Sequence, residues 1–133
     1  MEKVIVLIVS HNRQILLAEC INALRNQTRK PDAILVVNNG STDNTEEWLK
    51  LQPDVLHITQ NNEGPGSAFS KAMKWACSNG YAWMWCMDDD GYPKEDALEN
   101  LLKVDTPERS LLNCAVIDKA NKKSFVWNTR NYK

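Results

Sequence analysis

Hydrophobic positions follow two alternating patterns along this chain. Four short apolar runs predict β-strands at residues 4–9, 33–37, 55–59 and 82–87. After each run, apolar residues recur at helical spacing, which predicts helices at residues 14–27, from Asp43 onward, at 67–78 and from Pro93 onward. Two further strands are predicted at residues 111–117 and 124–127. Four strand–helix repeats are typical of an α/β domain with a mainly parallel central sheet, right-handed crossovers and helices on both faces.

Local signals sharpen several of these elements. Residues 82–87 are apolar on both faces, so they predict a central strand that is buried on both sides. Asp43 followed by Glu46 is a variant of the capping box that opens a helix, and Pro93 fits the first turn of the fourth helix. The third helix is expected to bury an apolar face of four residues: Phe69, Ala72, Met73 and Ala76.

Polar residues follow each of the first four predicted strands. In a parallel sheet these strand ends lie at one edge, where open α/β folds bind their ligands. One pocket with an acidic rim and three uncharged or basic rims would suit a nucleotide diphosphate bridged to a divalent cation. The four polar segments are Ser10-His11-Asn12-Arg13, Asn38-Asn39-Gly40-Ser41, Gln60-Asn61-Asn62 and Asp88-Asp89-Asp90.

The aspartate triplet is the segment with the most specific chemistry. Adjacent carboxylates repel one another wherever water is partly excluded, so such a cluster is either a solvated turn that caps a helix or a cation site. Asp88 and Asp90 alternate along the chain and can face one Mg²⁺ or Mn²⁺ ion if the backbone turns at Gly91. Asp89 then points elsewhere, and a ribose hydroxyl is a natural partner for it.

The other candidates each have an ordinary structural alternative. Asn39 belongs either to a turn or to a contact with a base edge, and Arg13 is either a surface charge or a ligand contact. His11 is a loop residue to which no catalytic role is assigned without a partner. Gly64 belongs to a small-residue turn that lets a ligand approach a helix N-terminus, although the third glycine of a dinucleotide fingerprint is missing. Lys71 either faces solvent or contacts phosphate.

Composition limits the classes of function. The chain has 133 residues, 43% of them hydrophobic and 25% charged, which predicts a single soluble domain over residues 1–133. Its net charge of −1 argues against a nucleic-acid partner. The four cysteines form no CxxC pair, so they are expected to be core thiols in a reducing cytoplasm. The first apolar run is too short for a signal peptide, and no transmembrane segment is predicted.

Four segments together resemble a known family. These are residues 4–13 (VIVLIVSHNR), 36–43 (VVNNGSTD), 62–66 (NEGPG) and 88–90 (DDD). In this order they resemble the nucleotide-binding half of family-2 glycosyltransferases, and within them the rhamnosyl- and galactofuranosyl-transferase branch. The resemblance implies a three-layer, Rossmann-like GT-A fold with a mainly parallel sheet.

The resemblance also implies a reaction. A sugar would pass with inversion from a UDP- or dTDP-sugar to a saccharide or lipid-linked acceptor, in cell-surface polysaccharide synthesis in the cytoplasm or at the inner face of the membrane. It implies that Asp88 and Asp90 bind Mn²⁺ or Mg²⁺ and that Asp89 contacts the nucleotide. The other implied donor-binding residues are Ser10, His11 and Arg13 beside the base and ribose, Asn39 against the base, and Asn62 and Gly64 near the diphosphate, with Lys71 expected at a phosphate.

Two departures from the family pattern leave the donor open. Asn38 stands where the family carries the aspartate of Asp-Asn-Gly-Ser, and the glycine-rich run after Asn62 is partly replaced. The length leaves little room for the acceptor half and its general base, so we expect a part truncated on the C-terminal side, and no catalytic residue is assigned. The alternative is a nucleotide-binding fragment or interaction module without transferase activity. A receiver-type signalling domain is disfavoured, because its acidic pair would follow the first strand.

Overall fold

The computed structural model describes residues 2–107, 110–112, 114, 116, 117 and 120. The chain forms two compact units, Met1–Lys103 and Val104–Lys133. In the described residues, all helices and extended strands belong to the first unit. They are β1 (Val4–Ser10), α1 (Gln14–Arg25), β2 (Ala33–Asn39), α2 (Thr45–Lys50), β3 (Leu56–Gln60), α3 (Pro65–Ser78), β4 (Trp83–Asp88) and α4 (Ala97–Leu102).

The four strands form one parallel sheet in the order β3-β2-β1-β4. The register aligns their carboxyl ends, since Ser10 is paired with Asn38 and Val9 with Asp88. The chain builds the sheet in one direction from β1 to β3 and then places β4 on the other side of β1. This reversal creates a topological switch point between β1 and β4.

Helices cover both faces of the sheet, as predicted. On one face, alternate residues of β1 such as Val6 and Ile8 pack with Leu17 and Ile21 of α1 and with Leu49 of α2. On the other face, the intervening residues of β1 pack against α3, whose three buried alanines allow a close approach. Burying each large apolar side chain contributes about 1.5–3 kcal/mol, so this alternation makes the register of the sheet costly to shift. The predicted three-layer α/β architecture is confirmed.

The position of β4 differs from its prediction. Both of its faces are apolar, with Trp85 and Met87 packed on the α1 side and Met84 on the α3 side. However, β4 is an edge strand within the described part of the chain, and its residues are half-buried or exposed. The prediction of a central strand buried on both sides is therefore wrong for these residues. An apolar pattern reports which faces pack, and it carries no information on whether a strand pairs along both edges.

The fourth helix begins later than the sequence predicts. Pro93 precedes it in a loop, and α4 begins at Ala97. The carbonyl of Lys94 in this loop is held by Gln27, two residues after the end of α1, whose buried side chain donates to it from Nε2 at 2.7 Å. The Gln27 Oε1 atom also accepts from the Leu98 backbone N–H at 3.1 Å, which fixes the start of α4.

The start of α2 differs by one residue. Asn44 occupies the N-cap position and makes no side-chain cap, so the predicted capping box is wrong. Asp43 lies one residue earlier, where its Oδ1 atom accepts from the Thr45 backbone N–H at 3.0 Å. Its other oxygen lies 3.4 Å from the Gln14 backbone nitrogen at the start of α1. Asp43 thus links the beginnings of two helices.

Two predictions about burial are corrected. Met73 is 40% exposed, and Ala68 takes its predicted place beside Ala72 and Ala76 on the buried face of α3. Cys20 is a core thiol as expected, whereas the other three cysteines are exposed. Helical and strand periodicity place a residue on a face, but residues at the border of that face can lie on either side of the packing boundary.

The second unit is described only in part. The described residues between 110 and 117 form no extended strand, and Ile117 makes an isolated bridge. The strand predicted at 124–127 lies outside the described residues. In the part of the chain that the structure describes, no helix combines the length and the hydropathy needed to cross a membrane.

Candidate functional site

Ser10, Arg13 and Asp89 meet at the switch point between β1 and β4. The Ser10 hydroxyl at the end of β1 donates to Asp89 Oδ2 at 2.8 Å. Arg13, immediately before α1, donates from Nη1 to Asp89 Oδ1 at 3.3 Å and lies 3.6 Å from Asp90 Oδ2. Asp89 is only 4% exposed. Because both of its oxygens are engaged inside the protein, Asp89 orients Ser10 and Arg13.

The acidic triplet creates a negative local potential. Burial raises the pKa of Asp89, although its hydrogen bonds oppose the rise. Burial also raises the pKa of the Cys20 thiol to about 12, and the charges of Asp89 and Asp90 add to the rise. The pKa of Tyr92 is raised by burial, by its hydrogen bond to Glu19 and by nearby charges that include Asp90. Burial disfavours charge of either sign, whereas the smaller contributions from the charges of Asp89 and Asp90 reflect a negative potential, which attracts cations.

Asp88 and Asp90 are the exposed members of the triplet. Among the described residues, no three or more His, Cys, Asp or Glu side chains gather into a group that could hold a metal ion. Mg²⁺ and Mn²⁺ nevertheless need only one or two carboxylates when phosphate oxygens and waters complete the shell. Two exposed carboxylates in a negative potential fit that requirement, so the donor set suits a metal that arrives with a phosphorylated ligand.

Asn12 and His11 connect the ends of β1 and β2. Asn12 adopts a left-handed backbone conformation with a φ of +52°, which asparagine tolerates better than most residues. Its Oδ1 atom accepts from the Thr42 backbone N–H at 2.6 Å and lies 3.3 Å from the Asp43 nitrogen. His11 Nδ1 lies 2.9 Å from the Asn39 carbonyl, and because a carbonyl only accepts, that nitrogen carries a proton. Asn12 was not among the predicted site residues, since side-chain bonding to a distant loop leaves no sequence pattern.

A row of amides connects the ends of β2 and β3. Gln60 Nε2 donates to Asn39 Oδ1 at 3.0 Å, and Asn39 Nδ2 donates to Asn62 Oδ1 at 3.1 Å. The Gly64 backbone N–H donates to the same Asn62 oxygen at 3.1 Å. Gly40 makes this approach possible, because its φ is +71° and a Cβ there would lie 2.6 Å from the Asn62 nitrogen. We call Gln60, Asn39 and Asn62 the amide row.

Two further residues bear on the predicted site. Asn38 is fully buried, accepts from the Ser41 backbone N–H at 3.3 Å, and has no partner for its Nδ2 atom among the described residues. Lys71 is exposed on α3, six residues after the helix begins, so its Cα lies about 9 Å along the axis from Pro65. The structure records no hydrogen bond between Lys71 and the other candidates in the described residues.

The predicted single edge is therefore present. Hydrogen bonds run without a break from the end of β4 through β1 and β2 to β3. One end of this edge is acidic, the middle carries one exposed guanidinium, and the other end presents uncharged amides. The candidates that it brings together are Ser10, His11, Arg13, Asn39, Asn62, Gly64 and Asp89, with Asp88 and Asp90 alongside, whereas Lys71 stands apart.

Comparison with known proteins identifies the family. The family model for "Glycosyl transferase family 2" matches residues 5–132 of the chain. The chain belongs to glycosyl transferase family 2. The predicted resemblance is confirmed, and the sheet of this chain is the parallel sheet of a GT-A fold.

Several relatives carry related names. The chain is 33% identical over 103 residues to galactofuranosyltransferase GlfT1 of Mycolicibacterium smegmatis, covering 76% of this chain and 34% of that protein. It is 29% identical to GlfT1 of Mycobacterium tuberculosis, covering 97% and 47%. It is 30% identical to the glycosyltransferase EpsH of Bacillus subtilis, covering 81% and 32%. The chain thus spans about a third to a half of the length of these curated relatives.

Solved structures share the fold. TarS of Staphylococcus aureus superposes with a TM-score of 0.63 at 24% identity, over 75% of this chain and 31% of that one. The mannosyltransferase PcManGT of Pyrobaculum calidifontis, solved with GDP-Man and Mn²⁺, gives the same TM-score and identity over 76% and 31%. At this identity the likeness shows the fold alone.

Proposed function

We propose that this chain forms the donor-binding part of a metal-dependent, inverting glycosyltransferase. The donor would be a nucleotide-diphosphate sugar, and the acceptor a saccharide or lipid-linked hydroxyl in cell-surface polysaccharide synthesis in the cytoplasm or at the inner face of the membrane. The observation that carries the proposal is the continuous polar edge, acidic at β4 and rich in amides at β2 and β3. A nucleotide diphosphate carries both kinds of matching group, a base and ribose that form hydrogen bonds and a diphosphate that pairs with cations.

The comparisons support the ligand class. Proteins with the same fold have been solved with GDP-Man and Mn²⁺ and, in the case of TarS, with UDP. The relatives named galactofuranosyltransferase agree with the branch that the sequence motifs resemble. The candidate nucleotides are therefore UDP, dTDP and GDP.

The proposal gives separate roles to the three aspartates. Asp88 and Asp90 would hold Mn²⁺ or Mg²⁺, which supplies the positive charge that neutralises a leaving diphosphate. Arg13 is half-exposed and held toward the same place by Asp89, so it adds a second positive charge. Preorganised charge of this kind is effective because it needs no rearrangement when the sugar–phosphate bond breaks, and losing one such interaction costs about 10²–10³ in rate.

The other polar residues of the edge would bind the rest of the donor. Ser10 and His11 are proposed to lie beside the base and ribose, with Asn62 and Gly64 near the diphosphate. The N-terminus of α3 begins one residue after Gly64 and favours an anion there through its free backbone N–H groups. Lys71 is assigned only a long-range attraction for the phosphates, because it lies on the second turn of α3.

Metal-dependent nucleotide binding tests the proposal. UDP, GDP and dTDP are screened for a rise in melting temperature with and without Mn²⁺. A ligand at one hundred times its Kd stabilises the folded state by about 2.7 kcal/mol, which is a rise of about 10 °C for a chain of this size. We expect one nucleotide to give this rise only with Mn²⁺.

Two matched variants locate the metal contribution. Asp90→Asn should lose the Mn²⁺-dependent part of the rise, whereas Asp96→Asn, on an exposed residue before α4, should retain it. The proposal would be overturned if no nucleotide bound, or if both variants responded alike. Donor hydrolysis and sugar transfer are then measured separately, which distinguishes a transferase from a fragment that only binds nucleotide.

A further inference from the structure

Arg13 contacts two members of the aspartate triplet with a single nitrogen atom. Its Nη1 atom donates to Asp89 Oδ1 at 3.3 Å and lies 3.6 Å from Asp90 Oδ2. The side chain of Asp89 is 5% exposed, whereas those of Arg13 and Asp90 are each 53% exposed. One guanidinium therefore pairs with a buried carboxylate on one side and with an exposed carboxylate on the other.

The buried carboxylate keeps Arg13 at the site. Asp89 uses its second oxygen to accept from the Ser10 hydroxyl, so its Oδ1 atom is left for Arg13. The contact between Arg13 and Asp90 is longer and more exposed, and water screens ion pairs of this kind. Arg13 can therefore release Asp90 while it remains attached to Asp89.

The guanidinium and the metal compete for Asp90, because Asp90 is also one of the two proposed metal ligands. A Mg²⁺ or Mn²⁺ ion lies about 2 Å from a carboxylate oxygen that binds it, so an ion on Asp90 Oδ2 would lie at most about 6 Å from Arg13 Nη1. At about 6 Å, repulsion between a double and a single positive charge lowers the affinity about tenfold even at the dielectric constant of water. The ion therefore binds at full strength only when Arg13 has left Asp90.

A diphosphate offers the guanidinium another partner. Its oxygens pair well with a guanidinium, and its negative charge attracts Arg13 and the ion alike. An ion that arrives alone must separate Arg13 from Asp90 and leave the guanidinium to water. Once a diphosphate pairs with Arg13, that separation has already taken place. Metal and nucleotide should therefore each strengthen the binding of the other.

We propose that Arg13 is an internal counter-ion of Asp90 that the metal displaces, so that metal binding depends on the nucleotide diphosphate. Arg13 keeps the affinity for the metal alone low. This inference rests on the proposed function and adds to it a control of the metal site. It gives Arg13 a role before the donor binds, in addition to its charge beside the bound diphosphate.

Arg13→Gln tests the competition. The variant removes the positive charge from a half-exposed side chain, so the fold should be retained, as its melting temperature will show. Mn²⁺ is titrated without nucleotide, and the free ion is measured by its electron paramagnetic resonance signal. Affinity for Mn²⁺ alone should rise about tenfold in the variant. Affinity for UDP, GDP or dTDP, whichever the unaltered chain binds most tightly, should fall. Damage to the site would instead weaken the binding of both ligands.

The coupling between the two ligands is a second measurement. It is the ratio of the nucleotide affinities with and without saturating Mn²⁺, obtained by calorimetric titration. Since metal and nucleotide both require Arg13 to leave Asp90, this shared step strengthens the coupling in the unaltered chain. The ratio should be about tenfold smaller in Arg13→Gln, which has no guanidinium to displace.

Two control variants separate the charge at this position from other effects. Arg13→Lys keeps a positive charge beside the triplet, so its affinity for Mn²⁺ alone should stay within about threefold of that of the unaltered chain. Lys74→Gln removes one positive charge from an exposed position on α3, about 13 Å along the helix axis from Pro65. Salt screens charges over such distances, so both affinities should stay within about twofold.

Three results would overturn the inference while leaving the proposed function standing. They are an affinity for Mn²⁺ alone that does not rise in Arg13→Gln, an unchanged coupling in that variant, and an equal rise in Arg13→Lys or Lys74→Gln. Absence of Mn²⁺-dependent nucleotide binding by the unaltered chain would instead refute the proposed function.

Discussion

Replacing Asp89 tests whether this residue positions the site or binds the metal directly. Asp89→Ala removes the acceptor of both Ser10 and Arg13. Ser10 is 1% exposed, and leaving its hydroxyl without a partner costs about 1–3 kcal/mol. The pair with Arg13 adds at most about 1 kcal/mol, because 53% of the Arg13 side chain is exposed. We expect the free energy of unfolding to fall by about 2–3 kcal/mol in this variant.

Asp89→Asn should behave differently. Its oxygen can accept from Arg13, its NH₂ group can donate to the Ser10 oxygen, and the cost of burying a charge disappears. The free energy of unfolding should therefore change by less than about 1 kcal/mol. Since Asp89 is placed behind the site, this variant should also keep Mn²⁺-dependent nucleotide binding, which Asp90→Asn should lose.

Urea unfolding and nucleotide titrations with and without Mn²⁺ measure both effects. The reasoning would be refuted if Asp89→Asn lost Mn²⁺ dependence as completely as Asp90→Asn does while its unfolding curve stayed unchanged. That result would make Asp89 a direct ligand of the metal or nucleotide, against its burial and its two internal partners.

Three further predictions follow from the fold. In urea unfolding, Gly40→Ala should lower the free energy of unfolding more than Gly80→Ala. Both glycines have a positive φ, which costs another residue about 1–2 kcal/mol, but only a Cβ at Gly40 meets the Asn62 backbone. An equal loss of stability in the two variants would contradict the close approach at Gly40. Gln27→Ala should lower the free energy of unfolding by about 1–3 kcal/mol, because it leaves the buried Leu98 N–H without its partner, whereas the Lys94 carbonyl still accepts from the Ala97 N–H. A loss under about 0.5 kcal/mol would argue against this role of Gln27. The hydrogen bond from the Val4 N–H is the main cause that lowers the folded-state pKa of Asp32 below its ordinary value of 3.8, so the Asp32 carboxylate stabilises the fold above pH 3.8 and this stabilisation is lost as the pH falls through the lowered pKa. The free energy of unfolding, measured between pH 5 and about 3, should therefore fall more steeply in the unaltered chain than in Asp32→Asn. Parallel curves for the two proteins would contradict the assignment.

The sequence predicted the framework because its physical cause is local. Runs of β-branched residues and the spacing of Leu17, Cys20, Ile21 and Leu24 determine which face of each element is apolar, and a parallel sheet follows from their alternation. In a parallel sheet, the polar residues that follow the strands must lie at one edge, so this prediction required only the topology of the sheet. The same reasoning brought Ser10, Arg13 and Asp89 into one group before any distance was known.

The errors come from interactions between distant parts of the chain. The late start of α4 depends on Gln27, which lies near the end of α1, far from Pro93 in sequence. The edge position of β4 depends on pairing along the strand, which apolar periodicity does not encode. Alternation along the chain separated Asp89 from Asp88 and Asp90, but the burial of Asp89 depends on its contacts with Ser10 and Arg13, which are distant in sequence.

The hydrogen bonds of the amide row were also not predicted by the sequence. Asn39 looked like a turn residue or a base contact, since both roles suit an amide after a strand. Its contacts with Gln60 and Asn62 depend on the close approach at Gly40, where a Cβ would lie 2.6 Å from the Asn62 nitrogen.

Paramagnetic broadening by Mn²⁺ tests the central claim most directly. In ¹⁵N-labelled protein saturated with the nucleotide that it binds, traces of Mn²⁺ should broaden backbone signals at residues 88–91, 10–13 and 62–64. Signals from the opposite ends of the same strands, at Val4, Ala33 and Trp83, should remain sharp. Broadening centred elsewhere, or equal broadening at both ends of the sheet, would contradict a metal–nucleotide site at this edge.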